Sequence, residues 1–378
     1  MLRKWFVLML IVLLSACGAQ ETAIPASTPR PTRTLVPLPA DSTAPVPTRA
    51  PTVLAAASTA APTAVPTLAP TADPTAELCP LTGVRDSAKP WTTRRPLLVK
   101  IDNGPLARPQ SGLTQADIVV EHYAEGGITR FDAAFWCSGA DDVGPVRSAR
   151  MIDFDLVNMF QAALAHVGAS NENLAVLRQL YGNRLLDGDQ VKAPYHRIAE
   201  RAAPYNDYTS TQALWAAMPE RGIAQTGIQL KGLTFDDAAP AAGKPAVRVN
   251  VPYDGRFSDS IWDYVSANAL YKKSLLGNPF VDGKKQQVQV ANVLVIFAPH
   301  TLTDIVEDSL GSRSIKIDLK GKGRAVLFRD GQAYDGQWLR EDANAFIRFV
   351  DAAGKDLPLK TGRAWFEVVP TDFKLDWK

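Results

Sequence analysis

The chain is poor in side chains that bind metals or carry redox chemistry. It has three cysteines, four histidines and five methionines in 378 residues. The histidines (His122, His166, His196 and His300) lie far apart, without the short paired spacing of a zinc site. No phosphate loop and no dinucleotide fingerprint is present. Ser148 and Ser170 lack the glycine-flanked elbow that activates a hydrolase nucleophile. With 41 Lys and Arg against 39 Asp and Glu, the net charge is +2 and no basic stripe stands out, which argues against a nucleic-acid partner. No metal motif and no cofactor is expected. Only carboxylates are left to hold Ca²⁺ or Mg²⁺.

The first residues, "MLRKWFVLMLIVLLSAC", have a basic start and an apolar run from Trp5 to Leu14 that is short for a membrane span. Leu14-Ser15-Ala16-Cys17 resembles the bacterial lipobox. That resemblance implies a signal peptide over 1–17, cleavage before Cys17, a diacylglyceryl thioether on its sulfur and palmitate-like acyl chains. Two or three such chains anchor a protein stably without spanning the bilayer. The expected location is the outer face of the bacterial cell membrane. Residues 18–77 are rich in Pro, Thr and Ala ("APTAVPTLAPTADPTAE") and offer almost nothing to bury, so a disordered tether is expected. Such a tether reaches roughly 180 Å in polyproline form, or roughly 45 Å as a coil. Cys79 and Cys137 remain, as a disulfide or as two thiols; export favours the disulfide.

The rest reads as α+β: a mixed α/β domain over 78–240, then a smaller, mainly antiparallel β domain over 241–378. "RPLLVKID" (95–102) predicts a buried strand, and "ADIVVEHYAE" and "ITRFDAAFW" predict a hairpin around Gly126-Gly127. "MIDFDLVNMFQAAL", "NLAVLRQLYG" and "STQALWAAMPERG" have helical spacing, and "ALAHVG" predicts a further strand. Beyond Ala246, "AVRVNVPYDG", "YVSANALYKKS", "QVQVANVLVIFAP", "SIKIDLKGKGRAVLFRDG" and "GRAWFEVV" read as strands, punctuated by Asp282-Gly283 and Asp330-Gly331 turns.

Several long stretches carry a family resemblance: "RPLLVKIDNGPLARPQSGLTQADIVVEHYAEGGITRF", "VGPVRSARMIDFDL", "AHVGAS", "ANVLVIF", "GKGRAVLFRDGQAYDGQWLR" and "GRAWFEVVP". Together they make residues 90–370 resemble the YerB-like bacterial lipoproteins. The resemblance implies an envelope lipoprotein built from two domains of unknown function, and it brings no catalytic residues with it.

The hairpin carries the candidate site. A two-residue Gly126-Gly127 turn would set Glu121 across from Asp132, Tyr123 across from Arg130 and Glu125 across from Ile128. One face then gathers Glu121, Tyr123, Glu125, Arg130 and Asp132, and the other face is core. Arg147 and Arg150 stand where a helix begins. Cations are unfavourable there, so these arginines need anionic partners: either the hairpin carboxylates or an external anion. Asp102 ends the first strand and His166 the "ALAH" strand; both are placed to line a crevice or to serve as turn and core residues. His196 sits in a polar, aromatic loop.

Two readings follow. In the first, a tethered binding or regulatory module uses Asp102, Tyr123, Arg130, Arg147, Arg150 and His196, with Tyr195 and Tyr205 nearby, to hold peptidoglycan or an envelope protein. In the second, a peptidoglycan-cleaving glycosidase or lytic transglycosylase uses Glu125 or Glu121 as general acid, with Asp132 or Asp102 as the second carboxylate.

Overall fold

The computed structural model describes residues 75–378; the expected signal peptide, the lipidation site Cys17 and nearly all of the expected tether lie outside them. Strands predominate, with few helices. The main elements are β1 (Leu97–Asp102), β2 (Ile118–Tyr123), β3 (Thr129–Phe135), α1 (Asp153–Met159), β4 (Ala163–His166), α2 (Asn171–Tyr181), β5 (Leu185–Asp187) and α3 (Thr211–Ala217). They continue as β6 (Arg248–Val251), β7 (Ser260–Val265), β8 (Leu270–Leu275), β9 (Asn292–Ala298), β10 (His300–Val306), β11 (Arg313–Ile317), β12 (Gly321–Arg329), β13 (Gln332–Arg340) and β14 (Ala364–Pro370).

One mixed sheet runs through the molecule in the order β13-β12-β9-β14-β2-β3-β1-β4-β5. Its central seam is parallel: β14 pairs with β9 on one side and with β2 on the other. The sheet therefore crosses the boundary expected near residue 240. β9, β14, β3, β1 and β4 are buried almost throughout, which explains their near-continuous apolar runs. A smaller antiparallel sheet holds β8, β7 and β6 in that order. The stretch "YVSANALYKKS", expected as one strand, is instead the β7–β8 turn and its arms.

Three layers result. One face of the main sheet (Leu97, Val99, Val119, Phe131, Val295, Trp365) packs on Val249, Trp262 and Tyr271 of the small sheet and on Leu214 of α3. The other face (Leu98, Ile118, Val120, Ala134, Leu164, Phe366) packs under Leu156 and Val157 of α1 and Leu177 of α2. Helix α1 ends at Met159, and Gln161 has a φ of 48°, so Ala163 belongs to β4 rather than to the helix its spacing suggested. Asp330 and Gly331, with φ of 54° and 71°, make the two-residue turn that joins β12 to β13. A Cys79–Cys137 disulfide, with Cα atoms 6.0 Å apart, ties the start of the fold to the end of β3. Among the described residues no helix is long and apolar enough to cross a membrane.

Candidate functional site

The charged hairpin closes differently from the two-residue expectation. Ala124 N–H donates to the Ile128 carbonyl at 2.9 Å, so the loop is Glu125-Gly126-Gly127, with both glycines at positive φ (71° and 77°). An odd loop shifts the pairing by one residue: Glu121 faces Phe131, His122 faces Arg130 and Val120 faces Asp132. Because side chains alternate with period two, this single step sends Asp132 and Arg130 to the opposite face from Glu121. The Glu121–Asp132 pair expected from the sequence does not form. Each strand's own alternation is as expected; the matching of the two strands is not. Both faces are covered, and each carries its own buried ionic centre.

The first centre lies under α1. Two rows of polar residues cross the sheet here, fixed by register: Asp132 beside Lys100, and His122 beside Arg130 beside Asp102. Lys100 Nζ lies 2.6 Å from Asp132 Oδ2, 2.8 Å from Asp153 Oδ1 and 3.1 Å from His122 Nε2. All four side chains are fully enclosed. Burial, reinforced by the Asp132 charge and opposed by Lys100, pushes the Asp153 carboxyl up to about 6. Burial, together with Lys100, holds His122 well below the ordinary histidine range.

Above this centre sits a carboxylate gripped by two arginines. Glu125 Oε1 accepts from Arg130 Nη2 at 3.0 Å, and Glu125 Oε2 accepts from Arg150 Nε at 2.7 Å; Arg150 Nη2 also reaches Oε1. Burial would raise the Glu125 carboxyl, but the two guanidinium groups win and hold it well below the usual carboxylate range. Burial lowers Arg130 to about 10, and the neighbouring Arg150 charge adds to the fall. Glu307, fully enclosed, lies 3.6 Å from Arg150 Nη1 and accepts from Asn173 Nδ2 at 2.7 Å.

Arg147 differs from these two. The segment that carries it is laced between the ends of β1 and β4: Arg147 N–H donates to the Lys100 carbonyl at 2.9 Å, and the Arg147 carbonyl accepts from Val167 N–H at 3.0 Å. Its Nε donates to Asp102 Oδ2 at 2.8 Å, and its guanidinium stands 5.5 Å from the Tyr205 ring centre. Its side chain keeps 22% of its surface exposed. Among the described residues its two terminal nitrogens have no hydrogen-bond partner. The segment thus joins the carboxyl ends of two strands running in parallel, β1 at Asp102 and β4 at His166, and the next parallel strand, β5, ends at Asp187. Strand ends of this kind commonly line ligand crevices. His166 Nδ1 meets the Gly168 carbonyl at 3.0 Å, while its buried Nε2 has no partner among the described residues.

The second centre lies between the sheets. Lys273 Nζ on β8 lies 2.8 Å from Glu121 Oε2 and 3.2 Å from Glu367 Oε1, and it donates to Ser260 Oγ at 2.6 Å. Its ammonium is 4.6 Å from the Trp262 ring centre and 4.5 Å from that of Trp365. The two indole N–H groups donate to Glu367 (2.7 Å) and Glu121 (3.1 Å). Glu121 and Glu367 are register partners in the parallel seam, with one lysine between two carboxylates. Burial, with repulsion from Glu121, pushes Glu367 up to about 7 against the pull of Lys273.

The structure thus brings Asp132, Arg130, Arg150 and Glu125 together, with Arg147 and Asp102 at the rim. It sets Glu121 and Tyr123 apart on the other face, where the Tyr123 hydroxyl donates to the Tyr253 carbonyl at 2.6 Å. His196 stands exposed on a short ribbon, its ring 6.3 Å from that of Tyr208. Lys100, Asp153, Glu307, Lys273 and Glu367 were missed from the sequence. For Lys100 and Glu367 the signal was present: each is a charge inside an apolar strand run, and a buried charge needs a partner.

A covered mixed sheet with polar strand ends defines a structural class without a ready-made chemistry. Residues 81–224 match the family described as "Protein of unknown function (DUF3048) N-terminal domain", and residues 249–366 match its C-terminal domain. The chain belongs to this two-part family of unknown function. It is 33% identical over 294 residues to a Bacillus subtilis protein described as "Putative lipoprotein YerB", covering 77% of this chain and 86% of that one. The crystal structure of YerB protein from Bacillus subtilis superposes with a TM-score of 0.64 at 30% identity, covering 78% of this chain and 97% of that one.

Proposed function

We propose that this chain is an exported lipoprotein, tethered through lipid on Cys17 to the outer face of the membrane, whose folded part binds an anionic group of the cell envelope at Arg147. The lipobox-like Leu14-Ser15-Ala16-Cys17 and the description of the Bacillus subtilis relative as a putative lipoprotein support the anchor. The residues between, 18–77, serve as a spacer that lifts the two family domains off the bilayer.

The observation that carries the binding reading is the contrast among the arginines. Arg130 and Arg150 are engaged by Glu125 and by carbonyl groups. Arg147 has a side chain 22% exposed, and its two terminal nitrogens, without a hydrogen-bond partner among the described residues, form a fork that fits a carboxylate bidentately, as on wall peptides and muramyl groups. Asp102 and Tyr205 hold its orientation. Cleavage by Glu125 has less support, because a general acid must keep its proton near neutral pH and the two arginines keep this carboxyl ionised. Glu121, the other acid considered, is fully enclosed. Asp153, pushed up to about 6 by burial, is fully enclosed and paired with Lys100, out of reach of a substrate.

The test is co-sedimentation of the mature chain, in detergent, with purified peptidoglycan sacculi, beside Arg147→Ala. An ionised hydrogen bond contributes about 1.5–3 kcal/mol, so the variant should bind roughly tenfold more weakly or worse. Equal binding by the variant overturns the reading, and soluble muropeptides released by the wild type would favour the enzyme.

A further inference from the structure

A second site has none of Arg130, Arg147 and Arg150 in its lining. A groove of about 910 Å³ opens between the disulfide-bonded start of the fold and the edge of the small sheet, at the upper end of the range for small-molecule clefts. We propose that it binds an uncharged, N-acetylated glycan. This goes beyond the anion site and does not rest on it.

The groove wall carries hydrogen-bonding capacity that the protein does not use. Four glutamines line it. A side-chain amide has two N–H hydrogens and two acceptor lone pairs. Gln115 Nε2 gives one hydrogen to Thr114 Oγ1 (2.7 Å) and Gln287 Nε2 gives one to the Lys273 carbonyl (2.8 Å), so each keeps a donor and its carbonyl oxygen. Gln289 Oε1 takes Asn268 Nδ2 at 3.2 Å and leaves both Gln289 N–H groups and one lone pair. Gln286 has no side-chain bond among the described residues and offers both functions. The wall therefore presents donors and acceptors together. An anion site would present donors alone; hydroxyl and acetamido groups carry both functions and suit this wall.

Charge points the same way. The Asp117 carboxylate at the back is enclosed and consumed by the Trp136, Cys137 and Ser138 backbone N–H groups at 2.7, 2.8 and 3.1 Å. Asp86 at the lip offsets one of the two lining cations, Lys272 and Arg363, so no strong field selects a polyanion. Val84, 45% exposed, and Leu270 supply apolar surface for the C–H faces of sugar rings. A peptide would call for an open strand edge or an apolar anchor pocket. The β8 edge beside the groove is already paired by Asn278–Pro279 and Gln289–Val290, and the one aromatic lining residue, Trp91, is buried to 7% exposure.

The experiment titrates the mature chain, in detergent, with chitotetraose by calorimetry. The comparison is with Gln286→Ala/Gln289→Ala, which trims two exposed side chains, and with Thr361→Trp, which fills the groove from its partly exposed rim. The expected result is saturable binding by the wild type and by Arg147→Ala, weakened at least about tenfold in both groove variants with thermal midpoints unchanged. Absence of saturable binding in the wild type overturns the proposal. So does undiminished binding in whichever groove variant folds. Binding of an uncharged wall-stem peptide in place of the sugar also overturns it. Loss of sacculus binding in Arg147→Ala with chitotetraose binding intact would show the two sites to be separate.

Discussion

The Lys273 centre makes a quantitative claim about pH. Two carboxylates, Glu121 and Glu367, share one lysine in an enclosed space, so near neutrality one of them keeps its proton. Burial and Glu121 raise Glu367 from 4.5 to about 7. A carboxyl whose folded value lies above its unfolded one makes its full contribution below the unfolded value. It loses that contribution as pH rises through the folded value, because the unfolded chain ionises first. The rise corresponds to about 3 kcal/mol lost between pH 4.5 and roughly 7. Glu367→Gln keeps the shape, leaves the Glu121–Lys273 pair neutral and removes the titrating group. Other groups also titrate in this window. Asp153, at about 6, acts in the same direction, whereas His122 and His166, buried and lowered, lose stability as pH falls below 6.5. The difference between wild type and variant cancels these. Guanidinium unfolding at several pH values, followed by total tryptophan fluorescence, measures it. The variant should gain about 3 kcal/mol on the wild type between pH 4.5 and 8. A difference that does not change with pH would refute the shared proton.

Lys273→Met should be far more damaging than Glu367→Gln, by about 3–5 kcal/mol, because it strands an enclosed carboxylate pair; adding Glu121→Gln should recover part of that loss in the same assay. Reducing the Cys79–Cys137 bond, which spans 58 residues, should cost about 4 kcal/mol by chain entropy, and coincident denaturation midpoints for the reduced and oxidised chains would contradict this.

The arginines above the first centre were within reach of the sequence, for physical reasons specific to each residue. Arg147 and Arg150 were read as cations just ahead of a helix that therefore needed anionic partners. Those partners are Asp102 and Glu125. The hairpin's strands were legible from their alternation, yet their register was not. That depended on whether Glu125 joined the two glycines in the loop, a choice settled by the backbone conformation of three residues. The error propagated to every cross-strand pair, and it hid the Lys100–Asp132–Asp153 cluster behind an expected Glu121–Asp132 pair.

The sequence by itself located many of the strand segments and the turn at Asp330-Gly331, because apolar periodicity and the conformational demands of a tight turn act over a few residues, though it read through the β7–β8 turn as strand. Only the tertiary structure decided how the segments meet. Trp365 bonds Glu121 across 244 residues of chain, and the parallel seam that sets Glu367 beside Glu121 joins strands from the two ends of the fold. Such pairings depend on long-range packing and on where buried charges find partners, and no local pattern encodes them.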